Sequence, residues 1–121
     1  MPAGRLAIVI DAADPDALRE FWVAAMRYEP YGSSGPYRSA VPPAGETGPK
    51  LVFQGVDDPR TSTKNRLHID VIVGDEIERE ASRLIDLGAT RLSHELVEEA
   101  GSTWVVLADP EGNEFCLVSD T

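Results

Sequence analysis

The sequence predicts an α+β fold: two tandem βαβββ modules forming a curved, mostly antiparallel sheet around a cleft, with the helices outside. Three observations lead there. The stretch RLAIVID, beginning at Arg5, recurs as RLHIDVIV at Arg66, half a chain later. Each copy is followed by a helix signal, and each helix by short β-like runs set apart by turn residues. One such unit cannot bury its sheet and its helix stripe alone, whereas two can. The chain of 121 residues reads as one domain, 1–121, with module 1 at about 5–55, a linker at 56–65 and module 2 at about 66–118.

The elements follow in order. After the first strand, Asp14-Pro15 starts a helix, because an acid caps free N–H groups and proline has none to lose. Leu18, Phe21, Trp22, Ala25 and Met26 then recur at helical spacing. The runs Tyr28–Tyr31, Tyr37–Val41 and Lys50–Gln54 read as strands, separated by SSGP and PPAGETGP. In the second half Asp75 is the expected cap, and Ile77, Ala81, Leu84, Ile85 and Leu87 form the apolar stripe. Gly88 ends that helix, since glycine enters positive φ without a Cβ clash. Ala89–His94, Ser102–Ala108 and Asn113–Val118 complete the module, the last two joined by the turn ADPEGN. Glu95, Glu98 and Glu99 read as a solvated edge or loop.

Charge and composition restrict the function. Eleven basic against twenty-one acidic residues leave a net charge of −10, which excludes the basic footprint that nucleic acid requires and disfavours an anionic membrane surface. A cationic small molecule would be attracted. No apolar run reaches the length of a membrane span, and MPAGRLAIVID lacks the layout of a signal peptide. Cys116 is the single cysteine, so no internal disulfide forms, and a cytoplasmic location is expected. Between Phe115 and Leu117 it reads as a small hydrophobe rather than a nucleophile.

Strand alternation puts His68 and Asp70 on one face and Leu67, Ile69, Val71 and Val73 on the other. The apolar face must meet a helix, which leaves His68 and Asp70 facing the cleft. Their pairing suits either a carboxylate that fixes an imidazole tautomer or a ligand contact and general base. Glu114 shares a face with Cys116 and Val118. Trp22, Arg38, Phe53 and Trp104 are further candidates for ligand contact in the cleft.

The doubled layout, DPDALREFWVAAM in the first helix, LGATRL after the second and WVVLADPEGNEFCLV at the end together resemble the vicinal oxygen chelate superfamily. That superfamily includes glyoxalases, bleomycin-resistance proteins and extradiol dioxygenases, and the likeness is greatest to its short glyoxalase-like proteins. The resemblance implies a divalent metal (Zn, Ni, Fe or Mn) held by the first and last strands of each module. Carried over by position, the ligands would be His68 and Glu114, with Glu114 also able to act as base. The other two positions fall on Ala7 and on Lys50 or Leu51, none of them a plausible donor. Asp70 or Asp11 could supply a third donor, although neither occupies a family position. With two donors of four, no tightly bound metal is expected. The expectation is therefore a small-molecule binder for a cationic or aromatic ligand, with a degenerate metal site. The alternative is a metal-dependent lyase, isomerase or dioxygenase using His68 and Glu114. The resemblance also implies a homodimer.

Overall fold

In the computed structural model, which describes residues 5–58, 67–99 and 101–119, the chain divides into two units, Met1–Thr61 and Ser62–Thr121. Most of the expected linker, residues 59–65, and the expected module start at Arg66 lie outside the described residues.

In unit 1 the order is β1 (Ala7–Ala12), α1 (Pro15–Met26), β2 (Glu29–Ser34), β3 (Tyr37–Val41) and β4 (Lys50–Gly55). The sheet order is β1-β4-β3-β2, with β1 and β4 parallel and the other pairs antiparallel. Helix α1 starts as its sequence dictates: the Asp14 carboxylate accepts from the Ala17 N–H at 3.1 Å, and Pro15 occupies the first turn. Its apolar stripe, Leu18, Phe21, Trp22 and Ala25, is buried, and α1 lies against all four strands of its sheet. Phe21 and Trp22 meet edge to face at 5.3 Å. Ala12, Ala40, Leu51 and Phe53 complete this core from the sheet.

The helix ends without a glycine. Arg27 takes the left-handed conformation at φ 55°, and its N–H bonds the Val23 carbonyl. A side chain with a Cβ is strained there by roughly 1–2 kcal/mol.

In unit 2 the order is β5 (Ile69–Val73), α2 (Ile77–Asp86), β6 (Thr90–Arg91), β7 (Val97–Glu99), β8 (Ser102–Ala108) and β9 (Glu114–Ser119). The sheet runs β5-β9-β8-β6, with β7 also on β8; β5 and β9 are parallel. Ile77, Ala81 and Leu84 of α2 are buried, as are Val105, Leu107, Phe115 and Leu117 of the strands the helix lies against. Both units therefore carry one helix on a mixed sheet, the expected α+β arrangement repeated.

Three expectations are corrected. The cap of α2 is Glu76, not Asp75, and its side chain makes no capping bond because it pairs with Arg79 instead. Ile85 and Leu87 are exposed rather than part of the buried stripe. The expected strand Ala89–His94 shortens to β6, and a further strand, β7, forms in the run read as a solvated edge or loop; both pair with β8. The early end of β6 has a cause: the Val106 carbonyl accepts from both Leu92 and Ser93 N–H, and Ser93 Oγ accepts the Val106 N–H at 2.9 Å. A side chain has taken over a rung of the ladder.

The turn ADPEGN is built around Asp109, which is only 2% exposed. One carboxylate oxygen accepts from the N–H groups of Glu111 and Asn113, each at 2.9 Å, and the Asn113 amide reaches both oxygens. Gly112 stands at φ 87°, where a residue with a Cβ would be strained. The turn delivers the chain from β8 into β9 in fixed register.

Two outcomes follow for stability. Replacing Arg27 by glycine relieves the left-handed strain and is expected to stabilise the protein by about 0.5–1 kcal/mol in chemical denaturation. Asp109→Ala leaves several buried donors without their acceptor and is expected to destabilise by about 2–4 kcal/mol in the same assay.

Candidate functional site

The first and last strands of unit 2 are neighbours. In the parallel β5–β9 ladder Ile69 pairs with Phe115, Asp70 with Cys116 and Val71 with Leu117. Partners across a ladder point to the same side. Phe115 and Leu117 are buried on the helix-facing side, so Asp70 and Cys116 stand on the other, open face. The antiparallel β8–β9 ladder extends this face, pairing Ala108 with Glu114, Val106 with Cys116 and Trp104 with Val118. Glu114 is exposed and Trp104 is half-buried.

His68 stands one residue before the first paired residue of β5. The expected strand is thus shorter than the sequence suggested, yet the imidazole still reaches along the open face. Its Nε2 lies 3.1 Å from Asp70 Oδ1, with the two side chains 55% and 53% exposed. A donor atom from each of His68, Asp70 and Cys116 falls within 4.8 Å of the others. The three bring an imidazole, a carboxylate and a thiol to one spot. The thiol is the member that sequence reading missed. Its signal was present in the alternation of β9, but the register that sets Cys116 beside Asp70 joins segments far apart in the chain.

In unit 1 the corresponding strands, β1 and β4, pair Ala7 with Lys50 and Ile8 with Leu51. Val9 and Asp11 share the open face with Ala7, since Ile8, Ile10 and Ala12 alternate to the other side. Lys50 instead holds its ammonium 5.4 Å from the centre of the Tyr31 ring, a cation–π contact.

The remaining candidates are placed elsewhere. Trp22 and Phe53 are 1% and 0% exposed, packed between α1 and its sheet. Neither presents surface to a ligand, which corrects the sequence reading; their bulk fills the core. Arg38 pairs with Phe53 across the β3–β4 ladder and so points to the helix side. Its Nε donates to Asp16 Oδ1 on α1 at 2.6 Å, and Nη1 donates to the carbonyls of Gly35 and Tyr37. Arg38 thereby ties a strand to its helix.

Unit 1 also carries a groove of ≈ 1020 Å³, bounded by Arg5, Leu6, Tyr31, Lys50 and the loop 42–49. Of the positions singled out from the sequence only Lys50 lines it, and none of the candidate ligand-contact residues does. The loop is pinned by Tyr28, whose hydroxyl donates to the Pro49 carbonyl at 2.9 Å and whose pKa is raised by burial. A Cβ at Gly48 would come within 2.7 Å of that hydroxyl, so glycine is needed for the close approach.

The model of the glyoxalase-like domain matches residues 7–118. The chain belongs to this glyoxalase-like family. Among solved structures, a glyoxalase/bleomycin resistance protein/dioxygenase family enzyme from Burkholderia phytofirmans PsJN is similar with a TM-score of 0.81 at 18% identity, over 98% of this chain and 100% of that one. The fosfomycin resistance protein of Listeria monocytogenes matches with a TM-score of 0.77 at 17% identity, over 100% and 94%. A superfamily member from Sphaerobacter thermophilus matches at 0.71 and 21% identity, over 98% of each chain. A comparison with curated proteins finds no match. These similarities establish the superfamily fold.

The four-position metal centre of the superfamily does not fit this chain. Ala7 has no donor atom, and neither Lys50 nor Leu51 is suited to ligate a divalent ion. Only His68 and Glu114 keep the required chemistry.

Substitution separates the structural from the accessible residues. Phe53→Ala is expected to cost about 3–5 kcal/mol of stability, as for other large core truncations. His68→Ala and Asp70→Ala each remove only an exposed pair and are expected to cost less than about 1 kcal/mol. Urea unfolding of the three variants checks both statements.

Proposed function

We propose that this glyoxalase-like protein binds a small molecule, using the open face of unit 2, without the four-donor metal centre of the superfamily. The observation that carries this reading is the Ala7–Lys50 pair, which fills both unit 1 ligand positions with side chains that cannot hold the ion. His68 and Asp70 supply an accessible imidazole and carboxylate on that face, and Trp104 an aromatic surface. The net charge of −10 favours a cationic ligand, and the indole suits a cationic or aromatic one. Calorimetry with a panel of cationic and aromatic compounds, run with a chelator present, tests the reading. Saturable binding that weakens about tenfold or more in Trp104→Ala or His68→Ala supports it. No saturable binding across the panel overturns it.

A second reading rests on register. Glu114 shares its face with Asp70 and Cys116, alongside His68, which keeps both surviving family positions on one surface. On that reading the protein is a divalent-metal-dependent lyase, isomerase or dioxygenase, with Glu114 moving the proton. Metal-dependent turnover of dicarbonyl–thiol adducts or catechols that is lost in Glu114→Gln would favour it over simple binding.

We further infer a homodimer in the cytoplasm. Exposed apolar side chains on the strands, Val9 and Ile72 among them, support self-association. Light scattering is expected to give twice the mass of the chain; the monomer mass would count against it. Among the described residues no helix is long and apolar enough to cross a membrane.

A further inference from the structure

We propose that unit 2 alone builds a divalent metal site of the zinc type, with His68, Asp70 and Cys116 as its ligands. The site differs from the one the superfamily implies, because neither Asp70 nor Cys116 occupies a superfamily ligand position. It goes beyond the ligand-binding reading and does not depend on it.

The geometry is close to what an ion needs. A tetrahedral zinc ion with bonds of about 2.0–2.3 Å holds its donors roughly 3.3–3.8 Å apart. Here the imidazole and carboxylate are 3.1 Å apart, and all three donor atoms lie within 4.8 Å of one another. The backbone is already fixed, because Asp70 and Cys116 are direct partners in a five-pair parallel ladder. These two donors are thus placed before the ion arrives, which lowers the ordering cost of binding, while His68 stands one residue ahead of the ladder.

The donor set selects the ion. Thiolate and imidazole are borderline-soft to soft ligands, preferred by zinc and cobalt over magnesium or calcium, which take oxygen. Three protein ligands leave one position open, the arrangement of zinc sites that bind a further molecule. Half-exposure of His68 and Asp70 gives an ion and a fourth ligand access.

The test uses reduced, chelator-treated protein and the metals themselves. Titration with cobalt(II) is expected to saturate at one ion per chain, with a thiolate-to-cobalt charge-transfer band in the near ultraviolet, and zinc should displace the cobalt. Cys116→Ser should abolish the band. Asp70→Asn and His68→Ala should each weaken binding by at least about tenfold. The band in the unmodified protein is independent of any variant, so a poorly folding mutant does not decide the outcome. Absence of the band at saturating cobalt overturns the proposal. So does a band whose affinity is unchanged in both Asp70→Asn and His68→Ala, which would mark a lone-thiol adduct. Binding that falls in Glu114→Gln but survives Cys116→Ser would return the metal to the superfamily positions and overturn it equally. The ligand panel with chelator present is separate, so either reading can fail without the other.

Discussion

The parallel pairing of the first and last strands within each unit is the constraint on which the rest depends. Each unit leaves its first strand, forms a helix, makes antiparallel turns and returns its last strand alongside the first. The return fixes which side chains become neighbours. In unit 2 it places Cys116 beside Asp70 and brings Glu114 to the end of the strand that follows His68. The Asp109 turn is part of the same constraint, because it sets the register of β9 against β8 before β9 meets β5. A slip of one residue would turn Phe115 and Leu117 out of the core and Glu114 and Cys116 into it, which the burial of two large apolar side chains forbids.

The two units share this pattern but differ in what it presents. Unit 1 juxtaposes a methyl group and an ammonium that rests near a tyrosine ring. Unit 2 juxtaposes groups that can accept or donate protons and bind cations. The pairing of first and last strands is the same in both, so the difference at these matched positions resides in their side chains. A fold of this kind does not fix a chemistry.

Much of this was legible in the sequence. The doubling, both helices, β3 and β8 followed from periodicity and turn residues, and alternation assigned the faces of β5 and β9 correctly. What escaped reading depended on contacts between distant segments. The Ser93 hydroxyl ends the expected strand early by bonding Val106, a partner that local pattern does not reveal. Arg38 reads as a cleft residue because its helix-side partner, Asp16, becomes visible only once α1 packs on β3. Trp22 and Phe53 read as ligand contacts from strand and helix pattern alone, yet their size makes them the filling of a small core. Cys116 reads as a small hydrophobe, since apolar neighbours in sequence conceal polar neighbours in space. Glu76 displaced Asp75 as the cap of α2 through an ion pair within its own first turn.

The interrupted strand has a consequence for how the protein behaves in a crowded solution. At one margin of the unit 2 sheet, β6 and β7 are two short pieces rather than one long strand. At the matching margin of unit 1, β2 carries Pro30 and a register irregularity between Pro30 and Ser33. A long, flat margin with unpaired amides is a template on which another chain can add a strand and begin an aggregate. Proline, a bulge and a break each deny that template. Both margins are thus shaped against polymerisation, and the surplus of acidic charge acts in the same direction by keeping molecules apart.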